Sequence, residues 1–229
     1  MKRSLARTRL AKLSGFTLVE LLVVIGIIAI LAAVLLSATG VALRAAKRTQ
    51  AATLASSIQT AAMGYYTEYS IYPVPTSPAP TAGQDYLIAD TTAAAPAWKA
   101  LLYGLCGNIN PYDASTTSPT GAVANTRAIA FLNLKATDVD SSGGPKNPLP
   151  TGTGASSSIY FNIVIDNDYD NIVGDTGTPS GKVPNFVTST TGSILYYAAG
   201  AGPTGGVVIW ANCNANAPNA NPNFYVKTY

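Results

Sequence analysis

Glu20 stands at the mouth of an uncharged apolar run from Leu21 to Leu43. At about 1.5 Å per residue that run makes about 35 Å of helix, enough to cross a hydrocarbon core of about 30 Å. A carboxylate at such a depth is costly unless something answers its charge, so it marks function. Two further groups have residue types that do chemistry. In Asp166-Asn167-Asp168-Tyr169-Asp170-Asn171 three carboxylates recur two residues apart, with Asp175 following. Alternating oxygens in a tight loop can converge on one side, and calcium is satisfied by 6 to 8 such ligands. The same pattern suits a solvated turn, with Asp and Asn serving turn geometry, and the two readings stand level. Cys106 and Cys213 are the only cysteines, both beyond the apolar run. An exported pair tends to bridge, and closing a loop of about 108 residues would contribute about 4 kcal/mol in the chain-entropy model. Two free, buried thiols are the other reading; export favours the bridge.

The chain contains no histidine. A nucleophile triad would need another base beside Ser or Cys, and neither Gly-x-Ser-x-Gly nor a phosphate loop occurs. Nothing sets two acids across a cleft. The expectation is therefore a protein that is not an enzyme.

Residues 1 to 15 hold Lys2, Arg3, Arg7, Arg9 and Lys12, with no acid. Positive charge before an apolar run keeps that end in the cytoplasm. A secretory signal peptide is one alternative, and small residues at 32–34 and 37–38 would serve its cut loosely. The run is longer than the usual h-region of 7 to 15 residues. A plain membrane anchor accounts for everything except Glu20.

Gly15-Phe16-Thr17-Leu18-Val19-Glu20, between a basic leader and the apolar run, resembles the class III leader junction of type IV pilins and type II secretion pseudopilins. The resemblance covers residues 1 to 70 and fades beyond them. It implies that a prepilin peptidase cuts between Gly15 and Phe16 and N-methylates Phe16, leaving Glu20 fifth after the cut. The new amine is cationic and stays so when methylated. Glu20 is expected to pair with it, within one subunit or between an incoming subunit and one already assembled, fixing axial register. The family also implies partners: further copies in a helical filament, the peptidase, an inner-membrane assembly platform, and the membrane before assembly. It implies a location in the bacterial inner membrane with the head outside the cytoplasm, then in a periplasmic or cell-surface filament. Major pseudopilins typically bind calcium near their C-terminal sheet, which adds to the calcium reading of Asp166, Asp168, Asp170 and Asp175. A membrane-tethered minor pilin or binding module is the alternative function.

The elements that must position these groups are legible. No proline occurs from Phe16 to Ile71, and Leu54, Ile58, Ala61, Ala62, Tyr65 and Tyr69 recur at helical spacing. Pro73, Pro75, Pro78 and Pro80 then forbid continuation. One helix from Phe16 to about Tyr69 is expected, apolar all round in its first half and amphipathic in its second. Many pilins carry a proline late in the apolar segment, where this chain has Ser37-Ala38-Thr39-Gly40. Pro96 to Gly104 reads as a short helix. Candidate strands are Ala128 to Leu134, Ile159 to Ile165, Ser193 to Ala198, Val207 to Trp210 and Phe224 to Lys227. The fold class is α+β, a long N-terminal helix on a small antiparallel sheet with long loops. The expected organisation is a leader over 1–15, a membrane or filament-core helix over 16–43, an amphipathic helix over 44–72 and a loop-rich β head over 73–229.

Removing the leader's five cations leaves nine against eleven acids, a net charge of −2. Beyond Arg48 the cations are scattered, so no nucleic-acid groove is expected. Arg44, Lys47 and Arg48 follow the apolar run, placed to meet lipid headgroups or acids of a neighbouring subunit.

Overall fold

The computed structural model describes residues 15–149, 160–174, 183–188, 194–197, 201–213 and 225–229. The leader before Gly15, Asp175, and the expected strand ends Ile159, Ser193, Ala198 and Phe224 lie outside the described residues. The chain divides into two compact units, Met1–Arg44 and Ala45–Tyr229.

Helix α1 spans Leu18–Tyr69, matching the proline-free stretch. It stops where Ser70 takes a left-handed φ of 55° and donates its N–H to the Tyr66 carbonyl at 2.7 Å. Within the first unit, every described side chain from Leu18 to Arg44 is exposed. A helix apolar all round offers no face for water, so its partners are lipid or other helices.

The second unit is built on the other half of α1. Of the predicted stripe, Ile58, Ala61, Ala62 and Tyr65 are buried and Leu54 and Tyr69 partly buried, while Ala51 and Ala55 extend it toward the start of the unit. Opposite it runs a hydroxyl face. Thr49, Thr53, Ser57, Thr60 and Thr67 each return a hydroxyl to the carbonyl four residues earlier, so that these polar side chains are satisfied by their own helix.

Four antiparallel strands form the main sheet: β1 (Tyr86–Ile88), β2 (Asn162–Ile165), β5 (Val207–Asn212) and β6 (Tyr225–Lys227), in the order β1-β2-β5-β6. A hairpin of β3 (Pro184–Thr188) and β4 (Ile194–Tyr196) intervenes in sequence and pairs only with itself among the described residues. Strand alternation sorts the sheet side chains onto two faces. Ile163, Ile165, Val207, Ile209 and Ala211 join the core with α1 and with α2 (Ala95–Leu105). Val164, Val208 and Trp210 face a second cluster with Val173, Val183, Tyr197 and Tyr229. Burial on both faces explains why β5 is a continuous apolar run rather than an alternating one.

Two expectations are corrected. Residues 128–134 form no strand. Ala130 makes one isolated bridge to Cys106, and the N–H groups of Phe131 and Leu132 both donate to the Leu105 carbonyl, at 2.9 and 3.0 Å. The apolar segment caps the C-terminus of α2 instead of extending a sheet. Gly104 does not end α2, which reaches Leu105 and turns at Gly107, φ 75°. Gly104 instead admits Val123, whose side chain a Cβ would overlap. Arg48 donates to the Tyr225 carbonyl at 3.2 Å, tying α1 to β6.

The expected disulfide is likewise absent: Cys106 and Cys213 are both free and buried. Each is held by different neighbours. Cys106 closes α2 and bridges to Ala130, whereas Cys213 follows β5 and its thiol donates to Asn147 Oδ1 at 3.6 Å. Burial pushes both thiols up to about 11, against the pull of a Leu134 backbone bond at Cys106 and of the nearby Arg48 charge at Cys213. The thiolate is the reactive form, so both should be inert in the folded protein. Alkylation without reductant at pH 8 should add nothing to the folded chain and two adducts in urea, read by intact mass. A chain that takes up no adduct in urea would restore the bridge.

Candidate functional site

Two constellations carry the chemistry, one in each unit.

At the mouth of α1, Gly15, Phe16 and Thr17 precede the first helical residue. The first four N–H groups of any helix lack partners within it. Here Thr17 N and Thr17 Oγ1 both donate to Glu20 Oε2 at 2.8 Å, and Glu20 N donates back to Thr17 Oγ1 at 3.2 Å. That is a reciprocal capping box, with Thr17 as N-cap and Glu20 as N3. The carboxylate also lies at the positive end of the helix dipole, where an anion is favoured. The scissile bond expected between Gly15 and Phe16 thus falls just outside the helix. Both partners of the box lie on the mature side of it. Glu20 is legible by sequence as a misplaced charge, but Thr17 is legible only through the Thr-x-x-Glu spacing, a signal the charge argument does not use.

In the head, the carboxylate cluster is Asp85, Asp166 and Asp168, whose ligand-capable oxygens lie within 4.8 Å of one another. Asp166 and Asp168 belong to the acidic turn after β2. Asp170 is not in the group; its Oδ1 accepts the Ile172 N–H at 2.8 Å, a local turn bond. Asp85 comes from the residue before β1, 81 positions earlier. No local pattern announces it. The register that sets Tyr86 opposite Ile165 is what brings Asp85 to Asp166.

These acids clamp backbone. Asp85 accepts the N–H of Asn167 at 3.3 Å and that of Gly174. Asp166 accepts Tyr169 N–H at 2.6 Å and Asn171 N–H at 3.1 Å. Tyr169 and Asn171 hold left-handed φ angles of 63° and 69°, and the carboxylate bonds offset that strain. From this turn Tyr169 stacks on Tyr72, centroids 5.4 Å apart, and Tyr72 on Tyr66 at 4.4 Å. The turn is thereby fastened to the end of α1.

Asp85 is only 4 % exposed and Asp166 2 %. Burial, reinforced by the Asp168 and Asp166 charges, raises Asp85 to about 7 despite its two backbone bonds. Burial raises Asp166 as well. The folded state therefore binds a proton that an unfolded aspartate releases near about 3.9. This contribution to stability is full below about 4 and is lost as pH rises through about 7. With chelator present, the urea midpoint of the Ala45–Tyr229 unit should fall over that window, and Asp85→Asn should flatten the fall. Parallel pH profiles for the two proteins would refute the assignment.

Residues 11–36 match the family model of the prokaryotic N-terminal methylation motif. Neither a curated protein nor a solved structure matches the chain.

Proposed function

We propose that this chain, which carries the class III prepilin leader of the type IV pilin and pseudopilin family, is a structural subunit of a helical filament built from its own copies. It is a type IV pilin-like substrate of prepilin peptidase, and the family is structural rather than catalytic. The observation that carries the filament reading is the junction itself. The matched motif runs directly into a helix whose described side chains from Leu18 to Arg44 are all exposed. Such a surface is covered by lipid before assembly and by helices of other copies afterwards, with backbone groups satisfied inside each helix. An inner-membrane platform would pass the subunit from one setting to the other, into a periplasmic or cell-surface filament.

The cut after Gly15 frees a cationic amine on Phe16. In the low-dielectric filament core that amine and the Glu20 carboxylate of an adjoining copy answer each other, and leaving either alone is expensive. Glu20→Ala subunits should be cleaved normally yet yield about a hundredfold fewer filaments, matching about 3 kcal/mol for one partner of a buried pair. Negative-stain microscopy of cells with and without the peptidase reads this directly. Filaments at the wild-type level from the alanine variant would refute the pairing. No filaments from the wild type would favour a membrane-tethered binding module.

A second, separable reading concerns the acidic turn, and the convergence of Asp85 on Asp166 and Asp168 favours it. Three hard oxygen donors on a closed turn suit a divalent cation such as calcium, whose remaining ligands would come from carbonyls or water. With calcium at ten times its Kd the head should gain about 1.4 kcal/mol, or about 4 °C in Tm. Asp85→Asn with Asp168→Asn should abolish the gain. A Tm equal in calcium and in chelator would remove this reading.

A further inference from the structure

A cleft of about 450 Å³ lies in the second unit, between α1 and the segment over 137–148. That volume is within the range of small-molecule sites, about 300 to 1,000 Å³. None of its lining residues belongs to the helix mouth or to the acidic turn.

The walls are fixed by the chain itself. The Lys146 N–H donates to the Asp138 carbonyl at 2.8 Å, and the Asp140 N–H to the Gly144 carbonyl at 3.0 Å, so residues 138–146 close into a clip. Asp140 is held from three sides. Its Oδ1 accepts the N–H groups of Ser142 and Gly144 at 3.0 Å each, and its Oδ2 accepts the hydroxyl of buried Tyr160. A carboxylate accepts in about four directions, so one remains. Asp138 Oδ2 accepts the Lys135 N–H at 3.2 Å, leaving Oδ1. Buried Asn147 ties the clip to β5, donating to the Asn212 carbonyl at 2.7 Å. On the facing wall Gln50 and Leu54 stand one helical turn apart, on one face of α1.

The lining sets the chemistry. Lys146 shares the cleft with the two carboxylates, yet no ion pair joins them among the described residues. An anion would meet two fixed carboxylates, and a cation would leave the Lys146 ammonium with nothing to bind. A neutral ligand suits both signs if it can donate to the carboxylates and accept from the ammonium, and a hydroxyl does both at one oxygen. Gln50 and Thr137 add groups that donate and accept, while Leu54 and Pro148 offer apolar surface to the C–H face of a ring.

We propose that this cleft binds a neutral saccharide of one or two rings, with Asp138 and Asp140 accepting from its hydroxyls. Lys146 and Gln50, both exposed, close over it from the rim. The site gives the head a binding role that is independent of the filament reading.

The test uses the full-length chain in micelles of a detergent without a sugar headgroup. Saturation-transfer NMR titrations follow methyl glucoside, methyl galactoside and methyl mannoside as neutral probes, with glucosamine and glucuronate as the cationic and anionic ones. The expected result is saturable binding of at least one neutral probe, about tenfold tighter than either charged one. Gln50→Ala with Lys146→Ala removes two rim side chains and no bond of the clip. It should leave Tm unchanged and weaken the neutral probe about tenfold, the equivalent of about two neutral hydrogen bonds. No saturable binding by any neutral probe would overturn the proposal. Tighter binding of glucosamine or of glucuronate would overturn it by making this a site for a charged ligand. Unchanged affinity in the double variant would do so by placing the binding elsewhere on the chain.

Discussion

A helix in hydrocarbon satisfies its own backbone everywhere except at its ends. That constraint weighs most on α1, whose residues from Leu21 to Leu36 carry no polar side chain. The first turn must find its acceptors locally. Thr17 and Glu20 supply them, and in doing so turn an isolated carboxylate into part of the helix. Glu20 is then less an intruder in an apolar segment than the residue that lets the segment begin. Its charge remains available because capping uses lone pairs and leaves the carboxylate ionised. The same carboxylate therefore caps the helix and keeps its charge.

The second unit meets a different constraint, since its half of α1 is a narrow stripe of small residues. Ala51, Ala55, Ala61 and Ala62 share the core with residues of the sheet and α2, while Ile58 and Tyr65 supply the bulk. Buried polar groups complete the seams. Asn125 is an example: its amide donates to the Gly104 and Ile129 carbonyls, and its oxygen receives the Tyr69 hydroxyl at 2.7 Å. Helix end, α2 and loop meet on one side chain, and a residue lacking either the donor or the acceptor would leave buried groups unsatisfied.

Legibility followed the range of the interactions. The long helix, its stop and its buried face are local or periodic, and the residues from Phe16 to Pro73 announce them. Strands β2 and β5 were visible for the same reason. Most of the failures are long-range. The segment over 128–134 has strand composition, yet its N–H groups serve the end of α2. Two cysteines beyond an apolar run suggest a bond, but each is claimed by its own neighbours. Asp85 looks like any loop acid until β1 pairs with β2. Thr17 is the exception, a local signal obscured because the unexpected charge three residues on draws the eye.

The acidic turn and the helix mouth use carboxylates by one logic. In each, a backbone turn that would otherwise leave N–H groups unpaired is closed by an aspartate or glutamate, and the charge so placed then needs an answer. At the helix mouth the residues from Leu21 to Leu43 offer no cation to answer it. In the turn, burial of two neighbouring acids drives one towards its protonated form, so a proton or a metal ion can fill the same need. Mutual repulsion among Asp85, Asp166 and Asp168 makes the turn sensitive to whatever neutralises it. Stacking of Tyr169 on Tyr72 and of Tyr72 on Tyr66 carries that sensitivity to the last turns of α1. A head whose carboxylates are neutralised would hold the end of its own helix more firmly.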